Sequence, residues 1–379
     1  MRGGLKIGRV FGIPIYLHTS WFLFFLLITY YFAGDFASRN PQWAGQERWP
    51  VAALASLLFF GSLLFHELSH SVVARHYRIP VASITLFIFG GVARITRDPD
   101  RAGQEFLIAA AGPASSYVLA GAFGLASLLT PAESLVHQVA FLLAWINFGL
   151  ATFNLVPGFP LDGGRILRSI VWGVTKNFTR STRIAARSGQ VIACGMIAMG
   201  ALFTVQAYTG GGDVLNGLWW VFIGWFLLTT ARQSYAQVNA RSALEGLRAA
   251  DLMTGELPTV GRDLSLDEYS QEVARTGRRA HLVMADGQLV GVMTIEALQA
   301  VPRDQWTGTS VQAAMLTQER VQWTSPDEPA LELLDRMRQA QVDQMAVIAG
   351  GNVVGLVTRD SILRAVQTRN DLGHLTGHS

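Results

Sequence analysis

The sequence predicts a polytopic α-helical membrane protein, with six transmembrane helices and a short membrane-associated β-hairpin, followed by a cytoplasmic α/β repeat pair. Half of the 379 residues are hydrophobic and 15% are charged, and the mean hydropathy is +0.29. Charged residues are sparse before about Arg232 and reach ordinary density after it. The later part also repeats itself at offsets of about 62 to 64 residues. These observations divide the chain into a membrane half and a soluble half.

Composition excludes several classes of protein. The single cysteine, Cys194, excludes an internal disulfide and a cysteine-rich metal site. The formal net charge of +3 is too small to indicate a general nucleic-acid-binding surface. The first apolar segment begins near Leu17 and carries no A-x-A-like processing site, so we expect a retained first span and no cleavable signal peptide.

Six apolar segments are long enough to cross a bilayer as helices. They lie at about Leu17–Ala33, Val51–Ala74, Phe106–Leu129, Leu135–Val156, Gly189–Tyr208 and Val214–Thr230. The basic residues between them fall mostly on one side of the membrane. That side holds Arg2, Lys6, Arg9, Arg75, Arg78, Arg94, Arg97, Arg101, Arg165, Arg168, Lys176, Arg180, Arg183 and Arg187, against Arg39 and Arg48 in the opposite loops. The positive-inside rule then predicts a multi-pass protein of a prokaryotic (inner) cell membrane, with the N-terminus and the soluble half in the cytoplasm.

A segment between the second and third spans is too short to cross the membrane. Residues 80–94 are rich in β-branched and aromatic side chains, and they predict two strands that turn at Gly90-Gly91. A strand edge cannot face lipid, so this hairpin must be buried in protein or border a wet cavity. The strand Ser83–Phe89 is a candidate to hold an extended peptide by strand addition. A purely structural re-entrant hairpin is the alternative.

The sequence His66-Glu67-Leu68-Ser69-His70 lies inside the second predicted span. On a helix this spacing puts two imidazoles one turn apart, where both can bind a tetrahedral zinc, with Glu67 beside them as general base. A chance match is the alternative, but ionisable residues inside a span are costly and are usually functional. Counted back from Arg75, the histidines lie roughly 8–14 Å inside the cytoplasmic flank.

A catalytic zinc site with two histidines needs a third protein ligand. After the fourth span, the segment 154–165 contains two prolines and three glycines, and this irregular backbone at membrane depth can bring Asp162 towards the histidines. The alternative is that Asp162 caps a short helix starting near Gly163. Asn154 either hydrogen-bonds the substrate backbone or the developing oxyanion, or has a structural role between helices.

These motifs together resemble the site-2 protease family of intramembrane zinc metalloproteases. The resemblance rests on His66-Glu67-Leu68-Ser69-His70 in an early span, on Asn154, Pro157 and Pro160-Leu161-Asp162-Gly163 later, and on Ala111-Gly112-Pro113 at the third span. It implies one Zn²⁺ per chain, held by His66, His70 and Asp162, with Glu67 as the base that activates water. Gly158-Phe159 departs from the family's usual second motif, which often has a further proline or aliphatic residue there.

The repeated soluble half resembles a tandem pair of cystathionine-β-synthase-type (CBS) domains. Met253-Thr254 recurs as Met315-Leu316, and Gly291–Thr294 recurs as Gly355–Thr358. The family has Thr and Asp at the turn from the last strand to the last helix, where they can hold a nucleotide ribose; Thr358-Arg359-Asp360 lies at this turn, which implies an ATP or AMP site at Thr358 and Asp360. The first copy has Glu296 where Asp is expected, so a single site is predicted. A ligand-free dimerisation or docking module is the alternative.

The expected organisation is a protease domain with a regulatory pair. The boundaries are 1–231 for the membrane domain, 232–247 for a helical connector, 248–304 and 310–370 for the two CBS domains, and 371–379 for a tail. The predicted function is hydrolysis of peptide bonds in or near transmembrane segments of membrane-anchored proteins. Zinc and Glu67 take part in this reaction, and no covalent intermediate forms. A CBS-regulated transporter or channel and a non-catalytic membrane adaptor are the alternatives. A transporter needs no third zinc ligand, and an adaptor would be expected to have lost Glu67 or a ligand.

Overall fold

The structure is a computed structural model that describes residues 4–39, 41, 43, 45–88, 90–255, 258–278, 280–285, 288–317, 322–340, 342–350 and 352–375. It divides into two units, Met1–Gln237 and Val238–Ser379. The division falls inside the predicted connector 232–247. Arg2, Phe89 and the end of the predicted tail, 376–379, lie outside the described residues.

The first unit is built on six long helices and one short one. They are α1 (Thr19–Arg39), α2 (Gly45–His76), α3 (Ala102–Leu128), α4 (Leu135–Asn154), α5 (Asp162–Thr175), α6 (Phe178–Gly210) and α7 (Val214–Leu244). All except α5 are long and apolar enough to cross a membrane. The six predicted spans therefore correspond to six helices. The helix of the fifth span, α6, begins at Phe178 rather than Gly189, because the polar residues before the apolar segment are also helical.

A four-stranded sheet accompanies the helices. It consists of β1 (Gly4–Val10), β2 (Ile13–His18), β3 (Val81–Phe87) and β4 (Gly90–Ile95), in the order β1-β2-β3-β4, with β2 and β3 parallel and the other pairs antiparallel. The helix of the first span begins at Thr19, two residues after the predicted start near Leu17, because Leu17 lies in β2. Ile13, Ile15 and Leu17 are buried in alternation, which is the period of a strand.

The position of β3 corrects a second expectation. Ile84, Thr85 and Leu86 pair with β2 on one side, and β3 pairs along its length with β4 on the other. Strand addition to Ser83–Phe89 is therefore wrong, since both edges of β3 are occupied. Among the described strands of this sheet, β4 has a single partner, so its outer edge is the free one on that side.

Small residues allow the helices of the first unit to approach closely. Ala52 and Ala55 of α2 are fully buried against Phe36 of α1 and Leu143 of α4. Without a hydrophobic drive between helices in lipid, such close packing supplies much of the association energy. The central helix α3 packs on α2, α4 and α5, so that it contacts every helix that carries a predicted metal ligand.

The second unit contains two similar α/β copies. Their elements are α8 (Ala249–Leu252), β5 (Thr259–Gly261), α9 (Leu266–Thr276), β6 (Ala280–Ala285), β7 (Gln288–Thr294), α10 (Ile295–Gln299), α11 (Val311–Ala314), β8 (Leu316–Thr317), β9 (Trp323–Thr324), α12 (Ala330–Ala340), β10 (Gln344–Ala349), β11 (Asn352–Thr358) and α13 (Arg359–Leu375). They form two sheets, β5-β6-β7-β8 and β11-β10-β9. The strand, helix, two strands and final helix predicted for each repeat are present in both copies.

The repeated residues are those through which the two copies exchange contacts. Thr254 bridges to Leu356 of the second copy, and β8 of the second copy pairs with β7 of the first. A Cβ atom at Gly291 would overlap Met315, and one at Gly355 would overlap Met253. The glycines of the repeat therefore make room for a methionine from the other copy.

Candidate metal centre

Two histidines of α2 point their ring nitrogens at each other near the C-terminal end of this 32-residue helix. His66 and His70 are 3% and 4% exposed, and their Nε2 atoms lie 3.2 Å apart. One turn of helix separates them, as their spacing predicts. Burial of two imidazoles inside an apolar helix is costly unless their nitrogens have partners.

Asp162 supplies the third converging donor. Its Oδ2 atom lies 3.1 Å from His66 Nε2 and 3.2 Å from His70 Nε2. Asp162 is the first residue of α5, and Leu161 occupies the N-cap position. The alternative in which Asp162 caps a helix starting near Gly163 is therefore wrong, because its carboxylate is turned to the histidines.

The glycines after Asp162 explain how the irregular segment reaches the site. A Cβ atom at Gly163 would overlap the backbone of Leu155, and one at Gly164 would overlap the backbone of Gly158. The loop before α5 folds back over the start of that helix, and no side chain fits between them. This close approach fixes the position of Asp162 at the start of α5.

Helix α3 orients both histidines from behind. His66 Nδ1 lies 2.9 Å from Ser116 Oγ, and His70 Nδ1 lies 2.6 Å from the carbonyl oxygen of Ile108. The carbonyl only accepts, so Nδ1 of His70 carries a proton, and the neutral ring would offer its Nε2 lone pair to a metal. This is the outer hydrogen bond typical of histidines that bind metals.

The donor set and the space between its atoms fit a zinc ion. His66, His70 and Asp162 each offer one ligand atom, and these atoms lie within 4.8 Å of one another. Two imidazoles and one carboxylate are the three-ligand set of catalytic zinc sites. A Cβ atom at Gly112 of α3 would overlap Nε2 of both histidines. Gly112 therefore keeps open the space that the donors face.

Glu67 lies beside this set but outside it. A Cβ atom at Gly91 would overlap the Glu67 side chain. Gly91 belongs to β4. The predicted base is thus held against the outer strand of the sheet.

Asn154 is the last residue of α4 and is half-buried. In the part of the chain that the structure describes, its side chain makes no hydrogen bond, so the structure does not join it to the three converging donors. Another asparagine of α4, Asn147, is fully buried and donates to Ser62 Oγ at 3.3 Å and to Leu143 O at 2.8 Å. Asn147 has no motif around it that would identify it from sequence.

A separate cavity of about 520 Å³ in the second unit is lined by Thr358, Asp360 and Glu296. Thr358 ends β11 and its Oγ1 accepts a hydrogen bond of 3.1 Å from the backbone N–H of Ser361. Thr294 Oγ1 caps α10 in the same way, at 3.1 Å from Ala297 N. The two repeat endings therefore face one cleft. Its basic residues are Arg278, Arg359 and Arg364.

Comparisons with known proteins agree with both units. The sequence profile of peptidase family M50 matches residues 54–132 and 121–196, and that of the CBS domain matches residues 313–368. A Synechocystis protein assigned as a zinc metalloprotease, sll0528, is 35% identical over 97% of each chain. Rip3 of Mycobacterium tuberculosis, assigned likewise, is 33% identical over 97% of this chain and 93% of Rip3. The solved site-2 protease of Methanocaldococcus jannaschii is 28% identical, with a TM-score of 0.44, and the match covers 61% of this chain and 95% of that one.

Two relatives above 30% identity match this chain over nearly their whole length. The six apolar helices make it a multi-pass membrane protein, and the C-terminal profile match gives it a CBS domain. The chain is a zinc metalloprotease that belongs to peptidase family M50, the site-2 protease family of intramembrane proteases.

Proposed function

We propose that this protein hydrolyses peptide bonds in or near the transmembrane segments of membrane-anchored proteins. The observation that carries the proposal is the convergence of His66, His70 and Asp162 beside Glu67, with both histidines and Glu67 on a helix apolar enough to span a membrane. A hydrolytic site at that depth meets substrates that are themselves in the bilayer. A transporter would have no use for a third ligand beside a general base.

The three converging side chains would hold one zinc ion and leave a fourth position open. Zinc in such a site lowers the pKa of water and polarises a carbonyl group. Glu67 takes a proton from the attacking water and delivers it to the leaving amine, so no covalent bond to the enzyme forms. Ser116 and the Ile108 carbonyl keep both imidazoles oriented throughout.

Substrate is held in an extended form beside Glu67. A transmembrane helix has all its backbone groups paired, so a segment of it must unwind before a peptide bond can be attacked. Gly91 of β4 lies against the Glu67 side chain, so a substrate strand added to the outer edge of β4 would lie close to the base. Asn154 is proposed to hydrogen-bond the substrate backbone or the oxyanion from the end of α4.

The orientation follows from the basic flanks. Arginines and lysines concentrate on the side of the N-terminus, and the second unit follows α7 on that side. We assign the N-terminus and the CBS pair to the cytoplasm of a prokaryotic cell, and water reaches the site from that face.

The cleft of the second unit is proposed to bind an adenine nucleotide, ATP or AMP, that regulates the protease. The Asp360 carboxylate and the Thr358 hydroxyl are suited to the ribose, and the arginines that line the same cavity are suited to the phosphates. Dimerisation through the CBS pair is the second role proposed for this unit. Titration calorimetry of the full-length protein with each nucleotide distinguishes them, because a pure dimerisation module gives no heat at millimolar concentration.

The test of the protease assignment is the substitution Glu67→Gln. Cleavage of single-span membrane proteins is measured beside bound zinc in the wild type and in the variant. We expect zinc to be retained and cleavage to fall by about 10² to 10⁴, the range for loss of a general base. Equal cleavage by the two proteins would refute the mechanism.

A further inference from the structure

One stripe of helix α3 faces the metal centre. Glu105, Ile108, Gly112 and Ser116 follow one another at helical spacings of three and four residues, so they lie along one face. Three of them touch the histidines: Ile108 and Ser116 hold the rings, and Gly112 leaves them space. Glu105 extends this face towards α5 and has no role in the proposed hydrolysis.

Glu105 is fully buried and pairs with an arginine of α5. Its Oε1 atom accepts a hydrogen bond of 2.8 Å from Nε of Arg168 and a second, shorter one from the same guanidinium. Nε of Arg165, which also belongs to α5, lies 3.9 Å from the same oxygen. Two cations of α5 thus face one carboxylate of α3.

The Arg168 side chain also joins the segments before and after α5. Its guanidinium lies 5.1 Å from the ring of Phe159, in the loop before the helix, and 4.6 Å from the ring of Phe178, at the start of α6. Only 7% of Arg168 is exposed. A planar, permanently charged group held between two rings and a carboxylate has one available geometry.

Buried ion pairs are weak sources of net stability, and their best-attested use is to specify one arrangement of the elements that carry them. Here the elements are α3, which orients both histidines of α2, and α5, which begins with Asp162. Arg168 lies six residues after Asp162, about 9 Å along the helix. A shift of α5 on α3 by a fraction of that length would move the Asp162 oxygen out of reach of both Nε2 atoms.

We infer that the Glu105–Arg168 pair is a positioning device for the third metal ligand. It locks α5 onto the helix that orients His66 and His70, so that Asp162 meets them at a fixed distance. The inference rests on the proposed function, in which Asp162 is a ligand. Neither Glu105 nor Arg168 touches the metal centre, so both act through Asp162.

A double-mutant cycle on zinc affinity tests this assignment. The dissociation constant for zinc is measured by chelator competition on the purified full-length protein, for Arg168→Met and Glu105→Gln, each in the wild-type and Asp162→Ala backgrounds. In the wild-type background we expect at least about a tenfold weaker affinity, as for other groups that orient ligands. In the Asp162→Ala background we expect no further change, because the ligand they position is gone.

Two controls separate positioning from general damage. Arg183 of α6 also contacts an aromatic residue, at 3.1 Å from Tyr235 Oη, and Arg183→Met should leave zinc affinity unchanged in both backgrounds. Arg168→Lys keeps the charge and should recover part of the loss. If Arg168→Met does not fold, judged by thermal unfolding of the metal-free protein, Glu105→Gln and Arg168→Lys carry the comparison.

The visible spectrum of Co²⁺ in the site gives an independent readout, since its bands depend on the number and geometry of the ligands. Arg168→Met and Asp162→Ala should give the same altered spectrum. Equal losses of zinc affinity in both backgrounds, or no loss in the wild type, would overturn the positioning role. If Asp162→Ala itself leaves zinc affinity unchanged, the ligand set of the proposed function fails instead, and the inference fails with it.

Discussion

The metal centre of the membrane unit and the cleft of the CBS unit are built in opposite ways. In the metal centre, three donor atoms converge within hydrogen-bond distance, and both histidines are more than nine-tenths buried. In the cleft, acidic and basic side chains line an open cavity of about 520 Å³. An exposed ion pair, Asp343–Arg359, illustrates its surface: each side chain is 48% exposed.

This difference indicates how strongly each site depends on its exact geometry. At the metal centre the histidines are held by the close approach of Gly112 and by buried hydrogen bonds from α3, so one added methyl group or one lost hydroxyl should have a large effect. In the cleft the charges are solvated and their interactions are screened, so single changes should have modest effects.

The substitution with the largest expected effect is Gly112→Ala. The added methyl group would overlap Nε2 of both His66 and His70, so the rings must leave the positions in which they would bind zinc. We expect zinc binding to weaken by more than about 100-fold and cleavage to disappear, measured by metal analysis and a membrane-protein cleavage assay. Gly121→Ala on the same helix meets no atom within 4 Å and is the matched control. Normal zinc content in Gly112→Ala would show that the rings can move aside, and the site would be as adaptable as the cleft.

The sequence predicts the ligands better than it predicts their surroundings. His66, Glu67 and His70 are identifiable because helix geometry relates them locally, and Asp162 because prolines and glycines mark an irregular segment where a ligand is missing. Ser116 and Arg168 follow no such local rule, because their roles depend on which helices are neighbours. The spacing of Glu105, Ile108, Gly112 and Ser116 places them on one face of a helix. Because the rest of the helix is mostly apolar, the sequence does not show which neighbouring helix that face contacts.

The sheet of the membrane unit shows the same limit. The alternation of Ile13, Ile15 and Leu17 is a strand signal, yet it runs directly into the apolar segment of α1 and cannot be separated from it by hydropathy. The pairing of β2 with β3 joins residues about 70 positions apart, and no local pattern reports it. For that reason the sequence predicts the hairpin of β3 and β4 but not the neighbour that occupies the edge of β3.

A smaller effect is expected from Ser116→Ala. This change removes the group that contacts Nδ1 of His66 at 2.9 Å, while the imidazole and its Nε2 remain. Outer hydrogen-bond partners of metal-bound histidines usually contribute 10- to 100-fold in affinity, so we expect a loss near about tenfold in zinc competition assays. The neighbouring Ser115→Ala is the control, because Ser115 Oγ bonds the carbonyl of Gly112 within its own helix. If both variants bind zinc equally well, orientation by α3 does not matter and the rigid picture of the centre is wrong.

The corresponding change in the cleft is Asp360→Ala. Loss of one charged hydrogen-bond acceptor at an exposed position should weaken nucleotide binding about tenfold and leave zinc content and basal cleavage unchanged. Calorimetry of the full-length protein with ATP and AMP provides the measurement. Glu296→Ala, in the same cavity at the equivalent ending of the first copy, should have less effect, since the predicted ribose contact is at Asp360. A larger loss from Glu296→Ala would assign the ribose to the first copy.

The smallest effect concerns His281, a third buried histidine, which contrasts with the two at the metal centre. His66 and His70 have partners for both ring nitrogens, whereas His281 contacts Tyr269 Oη through Nδ1 at 3.2 Å and its Nε2 has no hydrogen-bond partner among the residues that the structure describes. The Tyr269 hydroxyl donates to the Met293 carbonyl at 3.0 Å, so its oxygen accepts a hydrogen bond from Nδ1–H of His281. Burial lowers the pKa of His281 below its ordinary value, with Glu272 opposing this shift and Arg278 adding to it.

A histidine whose pKa is lower in the folded state destabilises the fold when it is forced to take a proton. The stability of the first copy should therefore be constant above about pH 6.5 and fall as the pH drops towards the folded pKa. Hydrogen exchange of β6 and β7, corrected for the intrinsic rate, should accelerate over that range in the full-length protein. The second copy has Met345 at the equivalent position of β10, so its strands should not respond, and His281→Met should make the first copy behave like the second. Equal acceleration of both copies would place the pH response outside His281, because the two sheets differ at this position by a group that titrates and one that cannot.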